Sequence, residues 1–169
     1  MARGNGIYVE GPENYKGKHW TVIVGAGLTL YPGYVVQIDP SVAVVGGRFT
    51  VIKYNVAADG SRPSGPYIVL LDDNEQGKTA DITNSANALA AGAMVKGYTP
   101  LPGDEINLVI ANIAGTGDDH TKGEVLIVDD TTGLMIATTG SPETEPAMLL
   151  ETITDPTADT LAWCVWSGY

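Results

Sequence analysis

Short apolar runs, separated by glycine, proline and aspartate, form the dominant pattern of this 169-residue chain. The clearest example is residues 98–140, where the runs INLVIAN, EVLIVDD and LMIAT are separated by the loop IAGTGDDHTKG and the turn TTG. Apolar runs bounded by such residues are typical of β-strands. This central stretch therefore predicts a strand, a long loop, a strand, a tight turn and a strand, with the rest of the chain wrapped around the meander.

The rest of the chain has the same style. We predict strands at residues 20–24, 34–38, 67–71, 147–153 and 161–166, and a hairpin of 41–45 with 49–56 around a Gly-Gly turn. The alanine-rich residues 86–95 contain a glycine and are expected to form a strand or an irregular ladder. Both faces of 161–166 are apolar, which indicates burial on both sides or an interface.

Eight to eleven short strands, without a visible internal repeat, predict an all-β fold. We expect a single β-sandwich or barrel domain over residues 19–169, with a β-tulip-like arrangement as one form of it. Residues 1–18 are predicted to form an extended N-terminal arm, because their apolar and aromatic residues are unusual in a purely solvating tail. A disordered tail is the alternative.

The charge of the chain is unevenly distributed. Residues 1–60 hold five basic and four acidic residues, whereas residues 61–169 hold four basic and sixteen acidic ones, for a net charge of −11 overall. An acidic body argues against direct nucleic-acid binding, because phosphate contacts need a basic face. No apolar run is long enough for a membrane span. The near-neutral first third is expected to face a partner, and the acidic remainder to face solvent.

The sequence contains no recognisable reaction chemistry. Cys164 lies in an apolar strand and is expected to be a small core residue. His19 and His120 are far apart in sequence, and residues 72–77 resemble the opening of a calcium loop but lack the glutamate at its twelfth position. The carboxylate pairs at 118–119 and 129–130 adjoin turns. We therefore predict a protein that is not an enzyme and that has no cofactor and no metal site.

Aromatic residues cluster near both ends of the chain, where they are either core residues or interface anchors. The predicted partner-facing residues are Ile7, Tyr8, Val9, Tyr15, Lys16, Lys18 and Trp20. The predicted oligomer-interface residues are Trp163, Trp166 and Tyr169.

Residues 66–169 resemble the head decoration (cement) proteins of tailed bacteriophages. The resemblance lies in residues 98–105 (YTPLPGDE) leading into INLVIAN, in 122–130 (KGEVLIVDD) and 132–134 (TGL), and in 138–143 (TTGSPE) before a closing strand. It implies a structural virion protein on the outer capsid surface. The implied partners are the major capsid protein and two further copies of the chain in a homotrimer, with no nucleic acid and no membrane.

Other functions remain open. The chain could belong to another virion component, such as a tail or head-fibre domain, or be a carbohydrate-binding β-sandwich whose exposed rings stack on sugars. The first residues lack the apolar core of a signal peptide, so we expect folding in a host cytoplasm before assembly into a virion.

Overall fold

A computed structural model describes residues 9–10, 18–54, 66–71, 84–111, 119–129, 132–138, 146–154 and 159–167, the first two by backbone alone. The predicted all-β barrel architecture is confirmed, because the described residues contain thirteen strands, one short 3-10 turn and no α-helix. The strands are β1 (Val9–Glu10), β2 (Lys18–Val24), β3 (Thr29–Leu30), β4 (Val35–Ile38), β5 (Phe49–Lys53), β6 (Ile68–Leu70), β7 (Leu89–Ala90), β8 (Met94–Thr99), β9 (Glu105–Ile110), β10 (Val125–Val128), β11 (Met135–Thr138), β12 (Ala147–Leu149) and β13 (Thr160–Trp166).

Five strands from the first part of the chain close into a ring, which we call barrel one. Its order is β2-β5-β4-β6-β8, and β8 pairs with β2 to complete it. All its pairs are antiparallel except β2 with β5. Alternate side chains fill the interior, among them Val22, Val36, Val51, Ile68 and Val95.

Five later strands close into a second ring, barrel two. Its order is β9-β11-β10-β12-β13, and β13 pairs with β9 over six positions to complete it. The one parallel pair is β9 with β11, which are joined only at Ile110 and Met135. Leu108, Leu126 and Cys164 belong to its core.

The two rings have the same topology. In each ring the strands follow the order first, third, second, fourth, fifth, and in each the first and third strands are parallel. The sequence showed no internal repeat, and the structure reveals one at the level of connectivity. The repeat escaped detection because side-chain alternation, rather than residue identity, is what a small barrel needs at each position.

The rings pack against each other through one continuous core. Outward-facing Val35, Val69 and Tyr98 of barrel one belong to the same buried cluster as the interior of barrel two. The backbone N–H of Val35 donates to the Gly133 carbonyl at 3.0 Å. Gly133 has φ +76°, and a Cβ there would lie 3.0 Å from the Val35 carbonyl oxygen, so the close approach of the turn depends on glycine.

The linker between the rings is fixed to the end of the last strand. Gly103 donates to the Trp166 carbonyl, and Trp166 donates to the Asp104 carbonyl, each at 2.8 Å. The Asp104 carboxyl is fully buried and accepts hydrogen bonds on Oδ2 from the Tyr98 hydroxyl at 2.5 Å and from the Leu101 N–H at 2.9 Å. The buried carboxyl thus orders the turn that connects β8 with β9.

Most predicted strands are confirmed, but three details are wrong. Residues 41–45 do not form a strand; only Val45 and Arg48 make an isolated bridge there, because β5 pairs directly with β4. The central stretch is a strand, a loop and a hairpin as expected, yet it is not a meander, since β9 pairs with β11 and β13 rather than with β10. The predicted strand 147–153 ends at Leu149.

The described part of the N-terminal segment is β1. Val9 lies opposite Ile106 and Glu10 opposite Glu105, so β1 adds a short antiparallel strand to the edge of β9. This edge is open because β11 meets β9 only at its far end.

Candidate interaction surfaces

Cys164 is a core residue, as predicted. Its side chain is fully buried, and its thiol donates a weak hydrogen bond to the Ala162 carbonyl at 3.6 Å. Burial, with a smaller contribution from the charge of Glu151, raises the pKa of the Cys164 thiol far above its ordinary value. A thiol that stays protonated and inaccessible is a poor nucleophile.

The two histidines lie on different barrels, so the structure does not bring them together. The His19 ring packs against Tyr98 with the ring centroids 5.0 Å apart. His120 Nδ1 lies 3.0 Å from Glu124 Oε2, and its backbone pairs with Ile153. Each histidine therefore has a local packing or hydrogen-bonding role.

Two of the described aspartates stabilise turns. Asp39 Oδ1 accepts from the Ser41 N–H and hydroxyl, and the hydroxyl bond lowers the pKa of Asp39. Asp129 Oδ1 accepts from the N–H and hydroxyl of Thr132 at 2.7 and 2.8 Å. Within the part of the chain that the structure describes, no group of three or more His, Cys, Asp or Glu side chains is arranged to hold a metal ion. The calcium-like residues 72–77 lie outside that part.

Lys18 and Trp20, two of the predicted partner-facing residues, form one end of barrel one. The Lys18 ammonium lies 3.9 Å from the centroid of the Trp20 ring. Trp20 is partly buried, donates from Nε1 to Thr99 Oγ1 at 2.8 Å, and meets the Phe49 ring edge-to-face at 5.7 Å. Of the other predicted partner-facing residues, Val9 lies in β1, and Ile7, Tyr8, Tyr15 and Lys16 lie outside the described residues.

Among the described residues, the largest group of exposed apolar side chains lies in a loop that the sequence analysis assigned to a strand. Val42, Val44 and Val45, which we call the valine loop, are 42, 52 and 61% exposed. All residues from 40 to 48 are exposed. Three exposed valines within four residues indicate a contact surface, because neighbouring apolar side chains that stay in water form an unfavourable patch, which contact with a partner would bury.

Local turn chemistry projects this loop from the barrel. Asp39 starts it with its hydrogen bonds to Ser41. It ends in a two-residue turn in which the backbones of Val45 and Arg48 hydrogen-bond reciprocally, with Gly46 and Gly47 at φ +57° and +75°. Positive φ at both central positions is the geometry that Gly-Gly favours.

The chain leads from the valine loop to a residue that contacts the predicted Lys18–Trp20 site. Arg48 ends the loop, and the following residue, Phe49, is the one that contacts Trp20. In the sequence the loop is four apolar residues between turn residues, and its length does not distinguish it from the barrel strands, several of which have only three or four residues.

The three predicted oligomer-interface residues do not share one surface in the described structure. Trp166 is only 2% exposed and packs edge-to-face with Tyr67 at 5.2 Å, so its ring fills the core and does not face a partner. Trp163 points to the opposite side of β13 and is partly exposed. Its backbone N–H donates to the Glu151 carboxylate at 2.6 Å. Tyr169 lies outside the described residues.

Barrel two carries an apolar outer face on the Trp163 side of β13. Ile136 pairs with Ile127, Val125 with Met148, and Met148 with Val165, so these side chains are lateral neighbours on four adjacent strands. Four of these five side chains are partly exposed, and the fifth, Val125, is 9% exposed. We call these five residues the barrel-two face: Val125, Ile127, Ile136, Met148 and Val165.

Barrel one also has an uncovered sheet face. Ile23 pairs with Met94 and Thr50, and Thr21 pairs with Lys96. These side chains alternate with Val22 and Val95 of the interior and therefore point outward, and Met94 is 53% exposed. We call these residues the barrel-one face: Thr21, Ile23, Thr50, Met94 and Lys96.

Charge separates along the chain at the barrel boundary. Residues 18–104 contain six Lys and Arg against seven Asp and Glu, a net charge of −1. Residues 105–169 contain one lysine against eleven Asp and Glu, a net charge of −10. Nearly all of the excess negative charge thus lies in the barrel-two half. The sequence analysis had already found residues 1–60 nearly neutral and the remainder acidic.

Among the described residues, no helix has the length and apolar character of a membrane span. No protein-family model matches the chain, and no curated protein matches it either.

Proposed function

We propose that this protein is a structural virion component that binds the outer surface of an icosahedral head and stabilises it. This is the role of the bacteriophage decoration proteins that residues 66–169 resemble. The single observation that carries the proposal is the valine loop, which presents three exposed valines. In this proposal the partner is the major capsid protein, and the chain acts as a homotrimer without catalytic activity.

The valine loop supplies the adhesive contact. Transfer of an exposed valine into an apolar pocket is worth roughly 1–2 kcal/mol. Three valines together contribute about 3 kcal/mol after the cost of ordering the loop, or about a hundredfold in affinity. A trimer on a head with many identical sites multiplies a modest contact into stable attachment.

The charge distribution supports the orientation of the bound protein. Barrel one, at a net charge of −1 over residues 18–104, approaches a protein surface without a large electrostatic cost. Barrel two, with its net charge of −10, faces solvent and keeps decorated particles apart.

The proposal is tested by binding to undecorated heads. Purified chain is mixed with bare capsids of the virus that encodes it, and bound protein is measured after sedimentation. Replacement of Val42, Val44 and Val45 by serine is expected to weaken binding about a hundredfold. The matched control replaces three exposed threonines of barrel two by alanine, at positions 121, 152 and 154, and should bind as the unaltered chain does.

Absence of binding by the unaltered chain would refute the proposal, and equal binding by the triple serine variant would refute the role of the valine loop. Deletion of residues 1–17, which leaves Lys18 of β2 in place, tests the predicted arm separately, with reduced occupancy as the expected result. The number of copies bound per particle distinguishes decoration, with many copies, from a tail or fibre component, with few.

A further inference from the structure

We propose that the chain self-associates head-to-tail, with the barrel-one face of one copy packed on the barrel-two face of the next. The inference deepens the homotrimer of the proposed function and rests on it. It goes further by assigning the contact to two different sheet faces rather than to the aromatic C-terminus.

The barrel-two face needs a partner that carries positive charge. Glu105 lies directly opposite Val165, and Glu151 accepts a hydrogen bond from the backbone N–H of Trp163 on the same strand as Val165. The apolar face is thus bordered by two carboxylates. These charges, together with the net −10 of residues 105–169, oppose contact between two barrel-two faces.

The barrel-one face has the complementary properties. Met94 and Ile23 provide an apolar centre, and Lys96, which is exposed, is the only charged side chain among its five residues. Thr21 and Thr50 add small polar groups that hydrogen-bond without a large desolvation cost. Flat sheet faces of this kind pack on each other as in a β-sandwich.

A contact between two different faces has a defined consequence for assembly. Each copy carries one face of each type, so association is heterologous and continues until the rotation between copies closes a ring. Neither face contains a valine-loop residue, so the loop remains free to bind a capsid in every copy.

The experiment measures molar mass by light scattering on the eluting peak of a gel-filtration column. Variant A is Met94→Glu combined with Lys96→Glu, which reverses the charge of the barrel-one face. Variant B is Met148→Arg, which places a cation within the barrel-two face. We expect the unaltered chain to elute as a closed oligomer, and each variant alone as a monomer.

The decisive sample is an equimolar mixture of the two variants. Variant A retains an intact barrel-two face and variant B an intact barrel-one face, so the mixture should form a dimer with the single remaining contact. A monomeric mixture of folded variants, or an unaltered chain that is monomeric at high concentration, would overturn the proposal. An oligomer that persists in either variant alone would also overturn it. Far-ultraviolet circular dichroism establishes that each variant is folded.

Arg48→Glu is the matched control, because it reverses a charge on the loop and on neither face. It should leave the oligomer mass unchanged while weakening binding to capsids. If the unaltered chain forms the oligomer but does not bind capsids, the proposed function alone is contradicted, and if the unaltered chain binds capsids but is monomeric, the head-to-tail contact alone is contradicted.

Discussion

Replacement of Tyr98 by phenylalanine should destabilise the junction between the two barrels. The Tyr98 hydroxyl donates to Asp104 Oδ2, and the other described donor to this oxygen is the Leu101 N–H. Asp104 is fully buried, so water cannot replace the lost donor without entering the core, and among the described residues its Oδ1 has no hydrogen-bond partner. A hydrogen bond to a buried carboxyl of this kind is worth about 1.5–3 kcal/mol.

The expected loss of about 2 kcal/mol is measurable by thermal unfolding. For a chain of this length, 1 kcal/mol corresponds to a change of about 2–4 °C in Tm, so Tyr98→Phe should lower Tm by about 4–8 °C. Tyr67→Phe is the matched control, because its hydroxyl lies 3.2 Å from another hydroxyl, that of Tyr54, in a partly exposed site and not from a buried carboxyl. Tyr67→Phe should lower the free energy of unfolding by less than about 1 kcal/mol.

A double-mutant cycle with Asp104→Ala tests the assigned cause. In the Asp104→Ala background this hydrogen bond is already lost. Tyr98→Phe should then change the free energy of unfolding little, or raise it. The reasoning is refuted if Tyr98→Phe costs the same in both backgrounds, or if Tyr98→Phe and Tyr67→Phe lower Tm equally.

Further predictions concern the cores of the two barrels. Gly97→Ala places a Cβ 2.5 Å from Cγ2 of the fully buried Ile68 and should cost about 1–3 kcal/mol in urea unfolding. Gly133→Ala forces φ +76° on alanine against the Val35 carbonyl and should cost about 1–2 kcal/mol, whereas Gly123→Ala, also at positive φ but with open space around it, should cost less. Because the folded-state pKa of Cys164 is raised, the unfolded chain loses the thiol proton first; stability should therefore fall as pH rises above about 9, by up to about 1.4 kcal/mol per pH unit from this group, and Cys164→Ala should lack this contribution to the slope.

The sequence predicts individual strands well where β-branched runs end in glycine or proline. β2, β6 and β13 all lie where the pattern placed them, and Cys164 is buried as its apolar neighbours indicated. The parallel pairs β2–β5 and β9–β11 could not be predicted, because they join strands separated by long loops and leave no local signature. The sequence therefore predicts barrel strands without revealing that they close two rings.

The candidate surfaces were predicted only in part, for physical reasons that differ between residues. Val44 and Val45 have high β-propensity, but β4 and β5 pair with each other from Ile38 and Val51 inward, which leaves no strand edge for the loop. Trp163 and Trp166 both lie on an apolar strand, and only closure of the ring determines that Trp166 points into the core.

The closing of barrel two by its last strand has a consequence for biosynthesis. The strands of barrel one are complete once Thr99 has been translated, and this half can fold while the ribosome is still adding residues. β13 spans Thr160–Trp166 and is the last strand of barrel two to be translated, so β9 and β12 keep unpaired hydrogen-bonding edges until it emerges. Nascent chains that terminate before β13 would therefore expose the unpaired, aggregation-prone strand edges of an open barrel, and quality-control proteases should remove them preferentially.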